Sequence, residues 1–246
     1  MNLPIFQIVN YLLILIVFII LIRYTWDMIF DRDYQPSAWQ QAKKAGNVSR
    51  DLIRLERNYP DKVRFFNWWL QIERLKRNEI RGSFAELGVY KGDSARIIHL
   101  MDTERTFHLF DTFHGFTEEE LKSEIGTAAT YRPSDFADTS LEKVRKKIGK
   151  SENLVFHLGI FPATTSGLEK ERFALVNIDA DLYHPTKNGL EFFYPRLLPG
   201  GVILIHDYNE KWDGVVRAVN EFSLTIPEHL IQIPDMEGSI MIIRNK

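Results

Sequence analysis

Residues 83–95 read SFAELGVYKGDSA, an apolar run followed by a glycine-rich turn and the start of a helical run. Further apolar runs follow, separated by segments of helical periodicity: TFHLFD (106–111), NLVFHLGI (153–160), FALVNIDAD (173–181) and GGVILIHDY (200–208). Strands that alternate with helices predict a parallel sheet with helices on both faces. A continuously apolar run such as Val202–Ile205 is typical of a central strand, which is covered on both sides.

Helices are predicted before this sheet, and a hairpin is predicted after it. Ser49–Asn58 and Asp61–Asn78 are amphipathic, and Pro60 separates them because proline cannot continue a helix. Leu230–Ile233 and Ser239–Ile243 are apolar runs joined by a segment of turn-forming residues, which is typical of a β-hairpin. The predicted fold is therefore α/β, with a mostly parallel sheet, a terminal antiparallel hairpin and N-terminal helices.

The N-terminal run is apolar enough to be a membrane anchor. The first 22 residues carry no charged side chain, and at ~1.5 Å per residue they are long enough to cross a hydrocarbon layer of about 30 Å. A cleaved signal peptide is the alternative, but a positively charged start and a small-residue cleavage site are both missing. We therefore predict a transmembrane anchor at residues 1–23, a juxtamembrane linker at 24–47 and one folded domain at 48–246.

The charges that flank the apolar run predict its orientation. Arg23 and Arg32 follow the run, whereas only the terminal amine precedes it. Because positive charges are enriched on the cytoplasmic side of a span, the C-terminal domain is predicted to lie in the cytoplasm.

Composition excludes several classes of function. The chain has 246 residues, a formal net charge of −2 at pH 7 and no cysteine. This length suffices for one sizeable core and leaves little room for a second domain. Because the chain lacks long runs of lysine and arginine, nucleic acid is not a predicted partner. The absence of cysteine excludes disulfides, thiolate metal sites and a cysteine nucleophile.

The glycine-rich turn at Glu86–Ser94 lies at a predicted strand end and opens a helix, where backbone can approach a ligand closely. It does not match the G-x-G-x-x-G fingerprint of dinucleotide-binding proteins, so a nicotinamide cofactor is disfavoured. The next strand ends at Asp111, about 20 residues downstream, where an acid commonly accepts hydrogen bonds from ribose hydroxyls. Together they predict a ligand site, and a solvated turn without a ligand is the alternative.

Two later strands also end in polar residues, at Asp179–His184 and at His206–Tyr208. Neighbouring strand ends meet at the carboxyl edge of a sheet, where two carboxylates and an imidazole can hold a divalent cation or deprotonate an alcohol. Because burying like charges without a cation is costly, a metal or a shifted pKa is expected there. For Asp181 and His184, capping of a helix that starts near Pro185 is the alternative.

Several runs of the chain occur in an order that is familiar from one enzyme family: ELGVYKGDSA, FDTFHGF, IDADLYHPTKNGLEFFYPRLLPGG, IHDY and VVRAVNEF. Over about residues 64–246 the chain resembles the macrocin-type O-methyltransferases. These are class I enzymes with a Rossmann-like sheet, which use S-adenosyl-L-methionine (SAM) to methylate sugar hydroxyls on antibiotic glycosides and related glycans. The apolar N-terminal run lies outside the resemblance.

The resemblance implies which residues bind SAM. By position, Asp111 would hold the ribose, and Thr112 and Phe113 would border the adenine. The complete set of implied cofactor-binding residues is Glu86, Gly88, Tyr90, Gly92, Ser94, Asp111, Thr112, Phe113 and Gly159. The segment 114–140 corresponds to the variable active-site cover of the family, which contributes to acceptor specificity.

The resemblance also places Asp179, His206 and Asp207 at the magnesium ligands of the family, although the family usually has a second acid where this chain has His206. Imidazole is a poorer magnesium ligand than carboxylate, so two mechanisms stay open. In the favoured one, Mg or Mn lowers the pKa of the acceptor hydroxyl. In the other, His206 or His184 removes the proton as a metal-free general base. The predicted catalytic residues are Asp179, His206 and His184.

The function predicted from these features is O-methylation of a sugar, glycan or glycolipid, with the anchor holding the site near a membrane-bound acceptor. Three alternatives stay open: N-methylation of an amine, methylation of a small molecule, and a catalytically inactive, membrane-tethered binding module. The last is supported only by the departure at His206, since a fold alone does not prove activity. The sequence is compatible with a homo-oligomer.

Overall fold

The computed structural model of the chain describes residues 4–30, 35–122 and 124–245. The chain divides into two units, Met1–Gln40 and Gln41–Lys246. Arg32, on which the predicted orientation depends in part, lies outside the described residues.

The first unit contains the apolar helix α1, Ile5–Phe30. Its segment Ile5–Trp26 is 22 residues long, and the most apolar part of this segment contains no buried residue. By length and composition alone, this helix is able to span a membrane. A signal sequence near an N-terminus meets the same criteria.

The second unit has the predicted alternation of helices and strands. Helix α2 begins in the last residues of the first unit and ends in the second. The helices after α1 are α2 (Ser37–Lys44), α3 (Arg50–Asn58), α4 (Lys62–Arg77), α5 (Asp93–Met101), α6 (Glu118–Leu121), α7 (Leu141–Ile148), α8 (Tyr183–Phe193) and α9 (Asp213–Ser223). The strands are β1 (Ser83–Leu87), β2 (Phe107–Asp111), β3 (Leu154–Leu158), β4 (Phe173–Ile178), β5 (Leu197–Ile205), β6 (Ile231–Ile233) and β7 (Ser239–Ile243).

The seven strands form one sheet in the order β3-β2-β1-β4-β5-β7-β6. Strands β1 to β5 pair in parallel, whereas β7 is antiparallel to both β5 and β6. The predicted mostly parallel sheet with a terminal hairpin is therefore confirmed. Every residue of β4 is buried, as expected for a strand that is covered on both faces.

The register of the central strands brings their carboxyl ends to one line. Leu87 of β1 pairs with Phe110 of β2 and with Ile178 of β4, and Ile178 pairs with Ile205 of β5. Strand order reverses between β1 and β4, since β2 lies on one side of β1 and β4 on the other. Open α/β sheets bind ligands in the crevice outside such a switch point.

The two helices predicted before the sheet are confirmed, with Ser49 and Asp61 as their N-caps. The Ser49 side chain accepts a hydrogen bond from the backbone N–H of Leu52, and the Asp61 side chain accepts one from that of Arg64. Such caps satisfy backbone donors that a helix leaves unpaired. The aromatic face of α4 is buried, as its periodicity predicts, and its buried residues are Phe65, Phe66, Trp68, Trp69, Ile72 and Leu75.

Candidate active site

The glycine-rich turn after β1 passes against the segment after β4. Gly88 has a φ of +87°, and a Cβ atom there would lie 1.9 Å from the carbonyl oxygen of Asp179. No side chain fits at that distance, and L-residues rarely adopt this φ. Glycine at position 88 therefore permits the close approach between the two segments that form the floor of the site.

Asp111, at the end of β2, organises the same turn. Its Oδ2 accepts hydrogen bonds from the backbone N–H groups of Val89 (2.7 Å) and Tyr90 (2.8 Å), and its Oδ1 accepts one from Phe113 N–H (2.6 Å). A carboxylate has about four acceptor sites, so Asp111 retains capacity for a ligand while it fixes the backbone around it. Asp111 lies in the wall of a cavity.

Two cavities meet above the carboxyl ends of the strands. The first has a volume of about 620 Å³, open solvent included, and the aromatic rings in its wall are those of Tyr90, Phe110, Phe116, Phe136 and Phe161. The second has a volume of about 1000 Å³ and carries most of the charged groups. Both are lined by Gly88, Tyr90, Phe136, Asp179 and Asp181.

The structure brings most of the predicted residues to these cavities. The first cavity is lined by five of the predicted cofactor-binding residues, namely Gly88, Tyr90, Asp111, Thr112 and Gly159. Ser94 lines the second cavity, as do the three predicted metal ligands Asp179, His206 and Asp207. The remaining cofactor candidates, Glu86, Gly92 and Phe113, line neither cavity.

These three residues have structural positions instead. Gly92 has a φ of +76° and is the N-cap of α5, and Phe113 is buried. Glu86 is fully buried, and its Oε1 accepts a hydrogen bond from the Asn177 side chain at 2.9 Å. Burial raises the pKa of Glu86 to about 8, although hydrogen bonds from Ser94 and Asn177 oppose the shift. The carboxyl group of Glu86, at the start of the glycine-rich turn, is therefore mostly protonated and uncharged at pH 7.

The residues after β4 and β5 form an acidic cluster. Nδ1 of His206 lies 2.9 Å from Oδ1 of Asp179 and 2.9 Å from Oδ1 of Asp207. Burial raises the pKa of Asp179 to about 7, and burial likewise raises the pKa values of Asp181 and Asp207. The expected pKa shift is therefore present, and its cause is the removal of several like charges from water.

Arg64 is a member of this cluster that sequence reasoning missed. Its Nη1 lies 3.6 Å from Oδ2 of Asp179, and its Nε lies 3.5 Å from Oδ2 of Asp235. Arg64 is in the first turn of α4, more than 100 residues from either partner. No local motif marks it, because only the tertiary fold brings it to the strand ends.

The family resemblance implies a divalent cation, and the donor set fits one. Asp179, His206 and Asp207 each offer a ligand atom, and these atoms all lie within 4.8 Å of one another. Carboxylate oxygens suit Mg²⁺ and Mn²⁺, whereas the imidazole is more compatible with Mn²⁺. A cation would also compensate the buried carboxylates, for which Arg64 supplies only one positive charge.

His184 lies apart from this cluster. Its side chain is exposed, it packs edge-on against the Tyr183 ring at 5.1 Å, and it lines neither cavity. The alternative that Asp181 and His184 cap a helix starting near Pro185 is wrong, because α8 starts at Tyr183 and its N-cap is Leu182. The first amide of that helix is bound instead by Glu124, at 2.8 Å.

The segment 114–140 covers part of the site, which agrees with its expected position. Phe116 and Phe136 lie in the wall of the first cavity, and Phe136 also lines the second. Tyr131 packs against Phe136 and against Trp212, each with ring centroids 5.6 Å apart. Trp212, at the N-cap of α9, lines the second cavity. Tyr131 and Trp212 are further candidates that sequence reasoning missed, since isolated aromatic residues carry no motif.

Comparisons with known proteins point to one enzyme family. The sequence profile of the family described as Macrocin-O-methyltransferase (TylF) matches residues 32–239. The 8-demethyl-8-(2,3-dimethoxy-alpha-L-rhamnosyl)-tetracenomycin-C 4'-O-methyltransferase of Streptomyces olivaceus is 28% identical over 148 residues, covering 56% of this chain and 57% of that protein. Mycinamicin III 3''-O-methyltransferase of Micromonospora griseorubida is 30% identical over 151 residues, covering 56% of this chain and 59% of that protein. The matched region thus spans less than two thirds of either relative.

Solved structures share the fold. The O-methyltransferase NovP superposes with a TM-score of 0.65 at 24% identity, covering 75% of this chain and 81% of that one. The calicheamicin methyltransferase CalS11 superposes with a TM-score of 0.56 at 19% identity, covering 86% of this chain and 94% of that one. At these identities the likeness establishes the fold alone, and it confirms the predicted Rossmann-like methyltransferase sheet.

Proposed function

Because the chain belongs to the macrocin-O-methyltransferase (TylF) family, we propose that it transfers a methyl group from SAM to a hydroxyl of a sugar, glycan or glycolipid. The observation that carries this proposal is the pair of cavities that meet at Gly88, Asp179 and Asp181. One cavity has the turn and the acid that suit a nucleoside, and the other has carboxylates and an imidazole that suit removal of a hydroxyl proton.

The first cavity suits the methyl donor. SAM, when bound there, would supply a methyl group on its sulfonium sulfur, and the neutral thioether S-adenosyl-L-homocysteine would be the leaving group. Asp111 keeps acceptor capacity for ribose hydroxyls, and the phenylalanine side chains around the cavity offer apolar surface to an adenine ring. Gly88 permits the close approach of the glycine-rich turn to the segment after β4, which forms the floor between the two cavities.

The acidic cluster suits the acceptor side. A hydroxyl that attacks a methyl group has to be placed in line with it and has to give up its proton. We propose that Asp179, His206 and Asp207 hold a divalent cation, which would lower the pKa of the acceptor hydroxyl. Without a cation, a carboxyl group with a pKa of about 7, such as that of Asp179, is itself matched to proton removal near neutral pH.

A sugar is the acceptor that the aromatic surroundings favour. Trp212 in the wall of the second cavity and Tyr131 packed against it offer apolar faces beside charged groups, and sugars present both C–H faces and hydroxyls. The tetracenomycin relative is named for methylation of a rhamnosyl derivative. For this chain, a sugar hydroxyl is a proposal supported by that likeness and by the cavity wall.

We further propose that α1 anchors the chain as a single-pass membrane protein with its folded domain in the cytoplasm. Support comes from the exposed apolar helix and from Arg23 after the apolar run. The full chain should then sediment with membranes and resist carbonate extraction, whereas deletion of residues 1–23 should release it. Protease added outside sealed cells should spare the domain, and its digestion there would reverse the proposed orientation.

The central experiment uses the purified full-length chain in detergent. It is incubated with methyl-labelled SAM, Mn²⁺ and glycolipid, soluble glycan or amine acceptors, and each product is examined by mass spectrometry. We expect label on a sugar oxygen. Label on nitrogen would replace O-methylation with N-methylation. Binding of S-adenosyl-L-homocysteine (SAH) without transfer to any acceptor would favour the inactive binding module, and absence of SAH binding would remove the proposal.

A further inference from the structure

Glu124 connects the cover, defined here as residues 114–140, to the body of the site. Its Oε1 accepts a hydrogen bond from the backbone N–H of Tyr183 at 2.8 Å, and the residue is only 7% exposed. Tyr183 is the first residue of α8, so its N–H is one of the donors that a helix leaves unpaired. A carboxylate at this end is also favoured by the helix dipole.

Two glycines make room for this contact. A Cβ atom on Gly214 would lie 2.2 Å from Oε2 of Glu124, and a Cβ atom on Gly126 would lie 2.5 Å from Oδ2 of Asp213. Gly214 and Asp213 belong to the first turn of α9, whereas Gly126 belongs to the cover. The absence of a side chain at both positions leaves room for these two carboxylates, and with them for the cover, against the first turns of α8 and α9.

The contact joins two parts of the site that the chain separates. On one side, the cover contributes Phe116, Glu120 and Phe136 to the cavity walls. On the other side, Tyr183 follows Asp181 by two residues, and Asp181 lines both cavities with a φ of +60°. A positive φ is costly for a residue with a side chain unless its surroundings fix it. Glu124 accepts its hydrogen bond from Tyr183 N–H, which belongs to the backbone directly after the turn that contains Asp181.

Other ionic contacts of the cover are more exposed. In the pair formed by Lys122 and Glu119, the side chains are 68% and 83% exposed, and exposed pairs of this kind contribute little. Near its C-terminal end, the cover is bound to the glycine-rich turn through Asp138, which accepts a hydrogen bond from Tyr90 Oη at 2.6 Å. On the other side, the buried Glu124 binds the cover to the first residue of α8.

We propose that Glu124 is a positioning residue that latches the cover to the N-terminus of α8. The closed latch holds the cover over donor and acceptor and fixes the turn that carries Asp181. Breaking the hydrogen bond frees the cover so that SAM, SAH and the acceptor can exchange. This inference rests on the proposed function for its ligands, but the contact itself does not.

The test compares Glu124→Ala, Glu124→Gln and Gly214→Ala in the full-length protein, with Glu119→Ala as the matched control in the same cover. Hydrogen exchange of residues 114–140, the dissociation rate of SAH, kcat and KM, and the Tm are measured. We expect Glu124→Ala to accelerate exchange in the cover and SAH dissociation by about tenfold, the scale of one buried charge-assisted hydrogen bond. Gly214→Ala should reproduce this effect without changing Glu124.

The conservative variant refines the interpretation. Glu124→Gln keeps an oxygen that can accept from Tyr183 N–H, so its effect should fall between wild type and Glu124→Ala, and Glu119→Ala should behave as wild type. If Glu124→Ala or Gly214→Ala lowers the Tm but leaves cover exchange and SAH dissociation unchanged relative to wild type, Glu124 has a merely structural role and the proposal is overturned. If wild type fails to bind SAH, the proposed function fails, while cover exchange still decides whether the latch exists.

Discussion

The two cavities differ in how their polar groups are satisfied. In the first cavity, proposed above for the methyl donor and here called the donor half, Asp111 accepts hydrogen bonds from three backbone N–H groups of the surrounding turns. Much of the remaining wall of this cavity is aromatic. In the second cavity, here called the acceptor half, Asp179 and Asp207 contact His206 and Asp181 lines the same wall. Burial raises the pKa of each of the three carboxyl groups. Arg64 contacts only one of the three, at 3.6 Å.

This difference indicates which of the two cavities requires a cation for its function. In the donor half, Asp111 is already paired with backbone donors, and Asp179 and Asp181 line only the side that this cavity shares with the acceptor half. The acceptor half gathers more negative charge than its described neighbours compensate, which is costly in a buried position. Perturbing the acceptor half should therefore affect catalysis most, whereas perturbing the donor half should affect binding.

Removal of metal is expected to have the largest effect. If a divalent cation completes the acceptor half, excess chelator should abolish methyl transfer and leave SAH binding intact. Manganese should restore activity better than magnesium, because imidazole is a poorer ligand for magnesium. Turnover and SAH binding are measured in parallel. Activity that persists in chelator and is lost in His206→Gln would break the comparison, since the acceptor half would then work as a metal-free base site.

Asp179→Asn should come next. Loss of this carboxylate should lower kcat by about 100- to 10,000-fold, the usual range for loss of a positioned proton-transfer group, while the dissociation constant for SAH stays within about threefold by the same reasoning. Single-turnover kinetics and calorimetry on the same preparation separate the two quantities. An equal loss of SAH affinity would mean that the two halves are not functionally distinct.

Glu86 allows a test by pH. Its pKa in the folded protein, about 8, lies above the value of an exposed glutamate, so folding favours the protonated form. The stability of the unliganded protein should therefore fall as pH rises from about 4.5 to about 8, by an amount on the order of a few kcal/mol. Glu86→Gln should lack this part of the decrease. Parallel denaturation curves of the two proteins with identical pH slopes would refute the expectation.

Asp111→Ala should weaken SAH binding by about 1–3 kcal/mol, the scale of lost hydrogen bonds. Part of this loss will reflect the turn, because Val89, Tyr90 and Phe113 lose their common acceptor. Calorimetry with SAH and with adenosine checks the effect, and Thr103→Ala, outside both cavities, serves as the control. Unchanged affinity for both ligands would leave Asp111 as a residue that only shapes the turn.

His184→Ala should have the smallest effect. The side chain is exposed and lines neither cavity, so kcat/KM should remain within about twofold, as is usual for exposed positions. Steady-state assays on His184→Ala and His206→Ala, run side by side, sharpen the contrast. A large loss in His184→Ala would restore it as a general base and would extend the acceptor half onto α8.

Much of the fold could be predicted from the sequence because apolar periodicity encodes burial. The strand ends at Gly88, Asp111, Asp179 and His206 follow from that pattern, and the family profile confirms the resemblance that the motifs indicated. Glu124 and Arg64 could not be predicted in this way. Each acts through a partner that is distant in sequence, and a lone Glu or Arg in a polar segment looks like any solvated charge.

The attachment of the cover has a consequence for protein engineering. Both ends of the cover are structurally well defined: Gly115 adopts a φ of +87° at one end, and Ser140 is the N-cap of α7 at the other. The floor beneath it is built from strand ends, and none of the described residues of the cover belongs to the sheet. If the cover contributes to acceptor specificity, as the family resemblance implies, a chimera that exchanges the intervening loop between relatives and keeps Glu124 and Asp138 should change the acceptor while leaving SAM binding unchanged.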